Sequence, residues 1–223
     1  MSDKIKITDL YDLNETIAAD YLKGFEYPWE ALAGIKEYIL KLGETLPSDK
    51  FDKKGDDIWV AKSAKVAPTA CLNGPLIVDE DAEIRHCAFV RGSAIVGKNS
   101  VVGNSTELKN VILFNNVQVP HYNYVGDSIL GFKSHMGAGS ITSNVKSDKK
   151  LVVVKGEDNY ETGLKKFGAM LGDRAEVGCN SVLNPGSVIG RDCIVYPTSC
   201  FRGVLPENHI FKKSGEKVPR KDR

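Results

Sequence analysis

The chain is poor in the residues on which several function classes depend. It has 4 histidines, and His86, His135 and His209 form no metal-ligand spacing with His121, so no metal site is expected. Its 5 cysteines are an odd count without a C-x-x-C pair. That composition argues against a disulfide framework or a zinc site and for a reduced, cytoplasmic protein. The longest purely aliphatic run is Leu151 to Val154, too short to span a bilayer. The charged start from Met1 to Lys6 lacks the apolar centre of a signal peptide. A formal charge of +1 supplies no global field for nucleic acid or an anionic membrane, which leaves only local basic sites.

What the chain does contain changes character near residue 57. Residues 1–57 read as a helical segment and linker. Asp12 and Glu15 are spaced as a capping box ahead of Leu13, Ile17 and Tyr21, and Gly24 closes that helix. Pro28 opens a second, with Leu32, Ile35, Ile39 and Leu42 on one stripe, ended by Gly43 and Pro47. Ser48 to Asp57 is polar enough for a linker.

From Ile58 onward an aliphatic residue recurs every six positions, at Val60, Val66, Leu72, Val78, Ile84, Val90, Val96, Val102 and Leu108. A second series runs through Leu171, Val177, Leu183, Ile189 and Val195 to Phe201, and between the two the phase slips by one residue near Leu113 and again near Leu130. Six residues fit neither a helix nor a plain strand. They fit a parallel β-helix with three flat sides, mainly β in class, over residues 58–210. The aliphatic residue points inward, and a neighbouring Gly, Asn or Asp is expected to take the tight corner at positive φ. Residues 18 apart then stack on one face at roughly 4.8 Å.

Residues 146–167 break the period with six lysines and leave the prism as a loop, either solvated or functional. Residues 211–223 form a tail with six basic and two acidic residues, either frayed or placed to meet a phosphate. Cys71, Cys87, Cys193 and Cys200 are read as small residues filling tight positions, not as nucleophiles.

The stacking rule brings Arg91 beside Lys109, since both directly follow inward aliphatics. Two like charges in register repel unless an anion sits between them or a nearby carboxylate such as Glu107 satisfies them. His121 is either a surface residue or, on a rigid outward position, a general base.

The segments Glu107–Asn110, Pro120–Asp127 and Met136–Asn144 resemble the acetyltransferase domain of the bifunctional bacterial UDP-N-acetylglucosamine pyrophosphorylase/glucosamine-1-phosphate acetyltransferases. The likeness runs from about Ile77 to Gly203, with spacing unbroken through Lys150, and Glu161–Ala169 resembles the C-terminal domains of archaeal dual-activity sugar-phosphate nucleotidylyltransferases. The resemblance implies a left-handed β-helix, a homotrimer with sites between subunits, and acetyl-CoA as co-substrate for N-acetylation of an amino-sugar phosphate or nucleotide-linked amino sugar. By the same likeness His121 matches the general base and Glu107 the acidic residue that orients it. Arg91 and Lys109 match the phosphate grip, and Tyr124, Asn144 and Lys150 the sugar pocket. Ala138, Cys179 and Pro197 match positions that meet acetyl-CoA. His135 stands where the family usually has asparagine, and Val145 where it usually has tyrosine. Both departures bear on which sugar is taken. Autonomous nucleotidyl transfer is not expected, because residues 1–57 cannot hold an α/β core. A non-catalytic trimeric sugar-phosphate binding module is the remaining alternative.

Overall fold

The computed structural model describes residues 3–221. From Ile58 the chain winds as a parallel β-helix of triangular coils. Along the first face, Ile58–Ala61 and Leu76–Val78 are followed by Ala94–Val96, the ends of Glu107–Leu113 and Tyr124–Leu130, then Ala169–Leu171, Ser187–Ile189 and Val204–Leu205. The second face runs from Lys65–Val66 through Glu83–Ile84, Gln118–His121 and Glu176–Val177 to His209–Phe211. The third runs from Cys71–Leu72 through Phe89–Val90, Glu107, Tyr124 and Ile141–Thr142 to Cys200–Phe201. From the second coil on the six-residue column points inward as expected, with Val78, Ile84, Val90, Val96, Val102 and Leu108 all buried, whereas in the first coil Val66 is exposed and Leu72 only partly buried.

Glycine plays a different part from the one expected. The glycines that follow inward aliphatics do not supply the positive φ; that falls largely to non-glycine residues such as Asn99, Ser105, Asn116, Tyr122 and Asn180. Those glycines are needed for close approach between coils. A Cβ on Gly103 would sit 1.5 Å from the carbonyl oxygen of Pro120 in the next coil, a backbone atom that cannot yield.

The two phase slips have one location. Val90 pairs with Leu108 at a spacing of 18, but Leu108 pairs with Val125 at a spacing of 17. The missing residue comes out of the corner between third and first faces. There Glu107–Leu113 and Tyr124–Leu130 run straight through from one face to the other, turning only at Asn110 (φ 55) and Asp127 (φ 48). The excursion leaves from this same corner, so the coil is regular at two edges and irregular at the third.

The segment before the coils is laid along the first face. Its long element starts at Pro28 as expected, as a 3-10 turn over Pro28–Gly34 that continues into the α-helix Ile35–Gly43. The earlier helix is broken into Ile7–Leu10, the 3-10 turn Leu13–Glu15 and Ala19–Leu22; Asp12 caps the turn, while Glu15 accepts from Asn115 of the solenoid. Ser48 to Asp57, expected to be a linker, contains the strand Phe51–Gly55, antiparallel to the first rung. The reason for the close packing is a second aliphatic ladder, pointing outward. Ile77, Ile95, Ile112, Ile129, Met170, Val188 and Val204 stack in register on the first face, and all are buried.

The excursion is packed rather than solvated. Val153–Lys155 and Asn159–Glu161 form a hairpin, and Val152, Val154 and Phe167 are fully buried. Trp29 stacks on Phe167 with ring centroids 5.8 Å apart, and Tyr27 meets Tyr160 at 5.7 Å. The basic tail likewise folds as far as it is described, since Lys217–Pro219 pairs antiparallel with His209–Phe211 across the end of the solenoid; its residues 222–223 lie outside the described residues. Among the described residues no helix is long and apolar enough to cross a membrane.

Candidate functional site

The expected residues collect at the two edges of the third face. At its irregular edge Arg91 and Lys109 do stack on adjacent rungs, as Leu108 pairs with Val90. Carboxylates, not each other, settle their charges. Arg91 Nη1 lies 3.0 Å from Glu107, an exposed pair that is easily rearranged. Lys109 Nζ lies 2.7 Å from Asp127, whose side chain is nearly buried. Glu107, expected beside His121, thus has Arg91 as its partner.

Asp127 is the centre of this edge, and it was not among the residues singled out from the sequence. It accepts from Lys109, from Asn110 Nδ2 at 3.0 Å and from Asn144 Nδ2 at 2.6 Å. Asn144 also donates to the Tyr124 hydroxyl at 3.2 Å, and Asn110 to the Leu32 carbonyl, which ties the N-terminal segment to the site. Burial, with the charges of Asp127 and Glu107, pushes the Tyr124 phenol up. The signal that could have revealed Asp127 is the phase slip itself, because removing one corner residue turns the next carboxylate inward. Asp127→Ala is expected to cost about 2–3 kcal/mol in chemical denaturation, since it strands a lysine and two amides. Glu107→Ala is expected to cost far less, since it releases only the exposed Arg91. Equal losses from the two would show that Asp127 is no such hub.

At the opposite edge, between second and third faces, His121 is exposed, and its imidazole has no hydrogen-bond partner among the described residues. Its backbone N–H donates to Asn123 Oδ1. Asn123, itself buried, donates to the carbonyls of Gly137 and Ser140 at 2.8 and 3.0 Å, so the loop that presents His121 is stapled to the coil above. Register then carries His121 upward. Gln118 pairs with His135, His135 with Glu176 and Glu176 with Ile194. Three residues on from each, Ala138, Cys179 and Pro197 stand in one column above His121. Gly139 N–H donates to the His121 carbonyl, Asn180 N–H to that of Ala138 and Thr198 N–H to that of Cys179.

Lys150, expected in the sugar pocket, lies elsewhere, as does His135, one of the two departures from the family pattern. Lys150 is exposed on the turn that opens the excursion, its N–H on Asp148, and makes none of the contacts around Asp127. His135 is on the second face between Gln118 and Glu176, away from the third-face cluster. Val145 directly follows Asn144 and is partly buried. All five cysteines are free thiols; Cys193 is buried and its thiol is pushed up to about 12 by that burial. Among the described residues no group of three or more His, Cys, Asp or Glu is placed to hold a metal ion.

Residues 72–159 match the model of the GMPPB C-terminal domain. The bifunctional protein GlmU of Methanococcus maripaludis is 29% identical over 217 residues, covering 86% of this chain and 48% of that protein. A bifunctional sugar-1-phosphate nucleotidylyltransferase/acetyltransferase of Sulfurisphaera tokodaii is 31% identical over 161 residues, covering 63% of this chain and 40% of its own length. The chain thus spans about half the length, or less, of these relatives. Among solved structures, a point mutant of perosamine N-acetyltransferase from Caulobacter crescentus, in complex with CoA and GDP-perosamine, aligns at 15% identity and a TM-score of 0.35, covering 72% of this chain and 56% of that one. By its coils the chain is a hexapeptide-repeat β-helix, and by its relatives it resembles the acetyltransferase domain of the bifunctional GlmU proteins.

Proposed function

We propose that the chain is an acetyl-CoA-dependent N-acetyltransferase acting on an amino-sugar phosphate or a nucleotide-linked amino sugar. The observation that carries this reading is the register that sets an exposed, unbonded imidazole, His121, at the foot of the column Ala138, Cys179 and Pro197. Small side chains and backbone along that column leave room for an extended thioester. Five residues on, at most about 17 Å along an extended chain, Gly126 lies beside Lys109. The long side chains of Arg91 and Lys109 can lean back over that span. An acceptor carrying an amine at one end and a phosphate at the other bridges the two edges.

In this reading His121 takes the proton as the sugar amine attacks the thioester carbonyl. The C–S bond breaks, coenzyme A leaves with a proton as the thiol, and an acetamide remains. Arg91 exchanges Glu107 for the substrate phosphate, a cheap exchange at an exposed pair. Lys109 keeps Asp127 and has further N–H donors to offer. Tyr124 and Asn144 contact the sugar. Assembly as a homotrimer belongs to the same proposal, with the second and third faces open to neighbouring subunits while the N-terminal segment covers the first.

The test is release of free thiol from acetyl-CoA in the presence of glucosamine-1-phosphate and nucleotide-linked amino sugars. Turnover of none of them removes the proposal. A second, independent reading comes from the thiols. Cys71, Cys87, Cys179 and Cys200 are exposed and Cys193 buried, so mild alkylation is expected to spare Cys193. Acetyl-CoA is expected to slow alkylation of Cys179 by about tenfold while leaving Cys71 unaffected. Equal rates at Cys179 with and without acetyl-CoA would place the donor elsewhere.

A further inference from the structure

The excursion hairpin and the last coils enclose a cavity of about 230 Å³, lined by Lys146, Asp148, Val153, Lys155, Pro185 and Arg202. Three cations face it against one carboxylate. Lys146 reaches Asp148 at 3.4 Å and the Leu151 carbonyl at 3.3 Å, while the side chains of Lys155 and Arg202 have no partner among the described residues. The wall is fixed by contact at two corner glycines. A Cβ on Gly203 would fall 2.4 Å from the Lys155 carbonyl oxygen, and one on Gly186 3.1 Å from that of Val153. The hairpin therefore cannot swing away without opening a packed joint, and the cations are held together despite their repulsion.

The cavity also has a place in the register. Arg91 and Lys109 directly follow Val90 and Leu108 on the third face, and Arg202 directly follows Phe201, which stacks on Leu183 in the same ladder. Arg202 thus stands in the column of Arg91 and Lys109, four rungs beyond Lys109 or roughly 19 Å away. Gly126, Ser143 and Asn184 lie between them, small or polar and uncharged.

We propose that Arg202, Lys155 and Lys146 form a second anion subsite that takes a phosphate ester or diphosphate. A guanidinium fork and two ammonium groups match several phosphate oxygens at once. A cavity of about 230 Å³ has room for a diphosphate. The carrier of that group is either the nucleotide part of the acceptor or the phosphates of the acyl donor. Naming either carrier rests on the acetyl-transfer reading; the binding itself does not.

The test is isothermal titration calorimetry of the full chain at low salt with UDP, coenzyme A, dephospho-coenzyme A and inorganic phosphate. The chains compared are the unmodified protein, Arg202→Ala/Lys155→Ala and Arg202→Lys, each checked for an unchanged melting temperature. The double variant is expected to bind UDP or coenzyme A at least about tenfold more weakly, with Arg202→Lys intermediate. A loss for UDP identifies the acceptor nucleotide. A loss for coenzyme A but not dephospho-coenzyme A identifies the 3′-phosphate of the donor. A loss confined to inorganic phosphate identifies a free-phosphate site. If all four probes bind the double variant within about twofold of the unmodified chain, or none binds the unmodified chain, the subsite is overturned. Binding that depends on Arg202 in a chain that transfers no acetyl group would retain this subsite and remove only the proposed reaction.

Discussion

His121→Ala is expected to slow acetyl transfer to an amino-sugar phosphate by about 10²–10⁴-fold, the contribution of a positioned general base. The KM for the acceptor should change little, because the proposed phosphate grip lies at the other edge of the face. Stability should not change, since the imidazole is exposed and bonds to nothing among the described residues. Asn123→Ala is the informative companion. It unstaples the loop behind His121 while leaving the imidazole in place, so it should lower both stability and turnover. A loss of less than about threefold in His121→Ala would move the base to another residue and sink the assignment.

Ile112→Asp is expected to destabilise the chain by more than about 4 kcal/mol, enough to unfold many domains of this size. Ile112 is an outward position on the solenoid, where a charge would ordinarily be harmless. Here it lies fully buried between Ile95 and Ile129, under the helix of the N-terminal segment. The change forfeits roughly 1.5–3 kcal/mol of apolar burial and places a carboxylate where neither water nor a cation reaches it. Ile194→Asp supplies the control, being the same change at an outward position of the second face that remains partly exposed. It should cost far less in a urea titration. Comparable midpoints for the two variants would mean that the N-terminal segment does not cover the first face in solution.

That contrast also shows what the sequence revealed and what it hid. The inward column was legible because its period is strict and its residues uniformly aliphatic. The outward ladder was present in the same letters, as the pairs Ile77–Val78, Ile95–Val96, Ile112–Leu113, Ile129–Leu130 and Met170–Leu171. It repeats only once per coil, and its residues adjoin the stronger signal, so it merged into it. Arg91 and Lys109 were placed correctly on adjacent rungs, yet their partners were not readable. Asp127 lies 18 residues after Lys109, but the register there is 17, so Gly126 pairs with Lys109 and the shortened corner brings Asp127 one position further on, within reach of the lysine. The hairpin at Val153–Glu161 was hidden for another reason. Val152, Val154 and Phe167 of the excursion are fully buried, and Phe167 stacks on Trp29, a partner more than a hundred residues away. No local period encodes such a contact.

The N-terminal segment has a mechanical consequence. In a solenoid each coil touches only its neighbours, so stability is a sum of repeat terms and the ends can melt first. Here one strip of chain crosses those steps lengthwise. Lys50 pairs with Glu80, Glu15 accepts from Asn115, the Leu32 carbonyl accepts from Asn110, the Asp12 N–H donates to Asp173, and Lys4 pairs with Glu207. Those ties reach from the second coil to the last, like a spine bound across stacked pages. A terminal coil cannot open without also peeling the strip from coils far below it. The molecule should therefore melt in a single cooperative transition, and its upper coils, where the cations of the excursion face Arg202, should be as rigid as its middle.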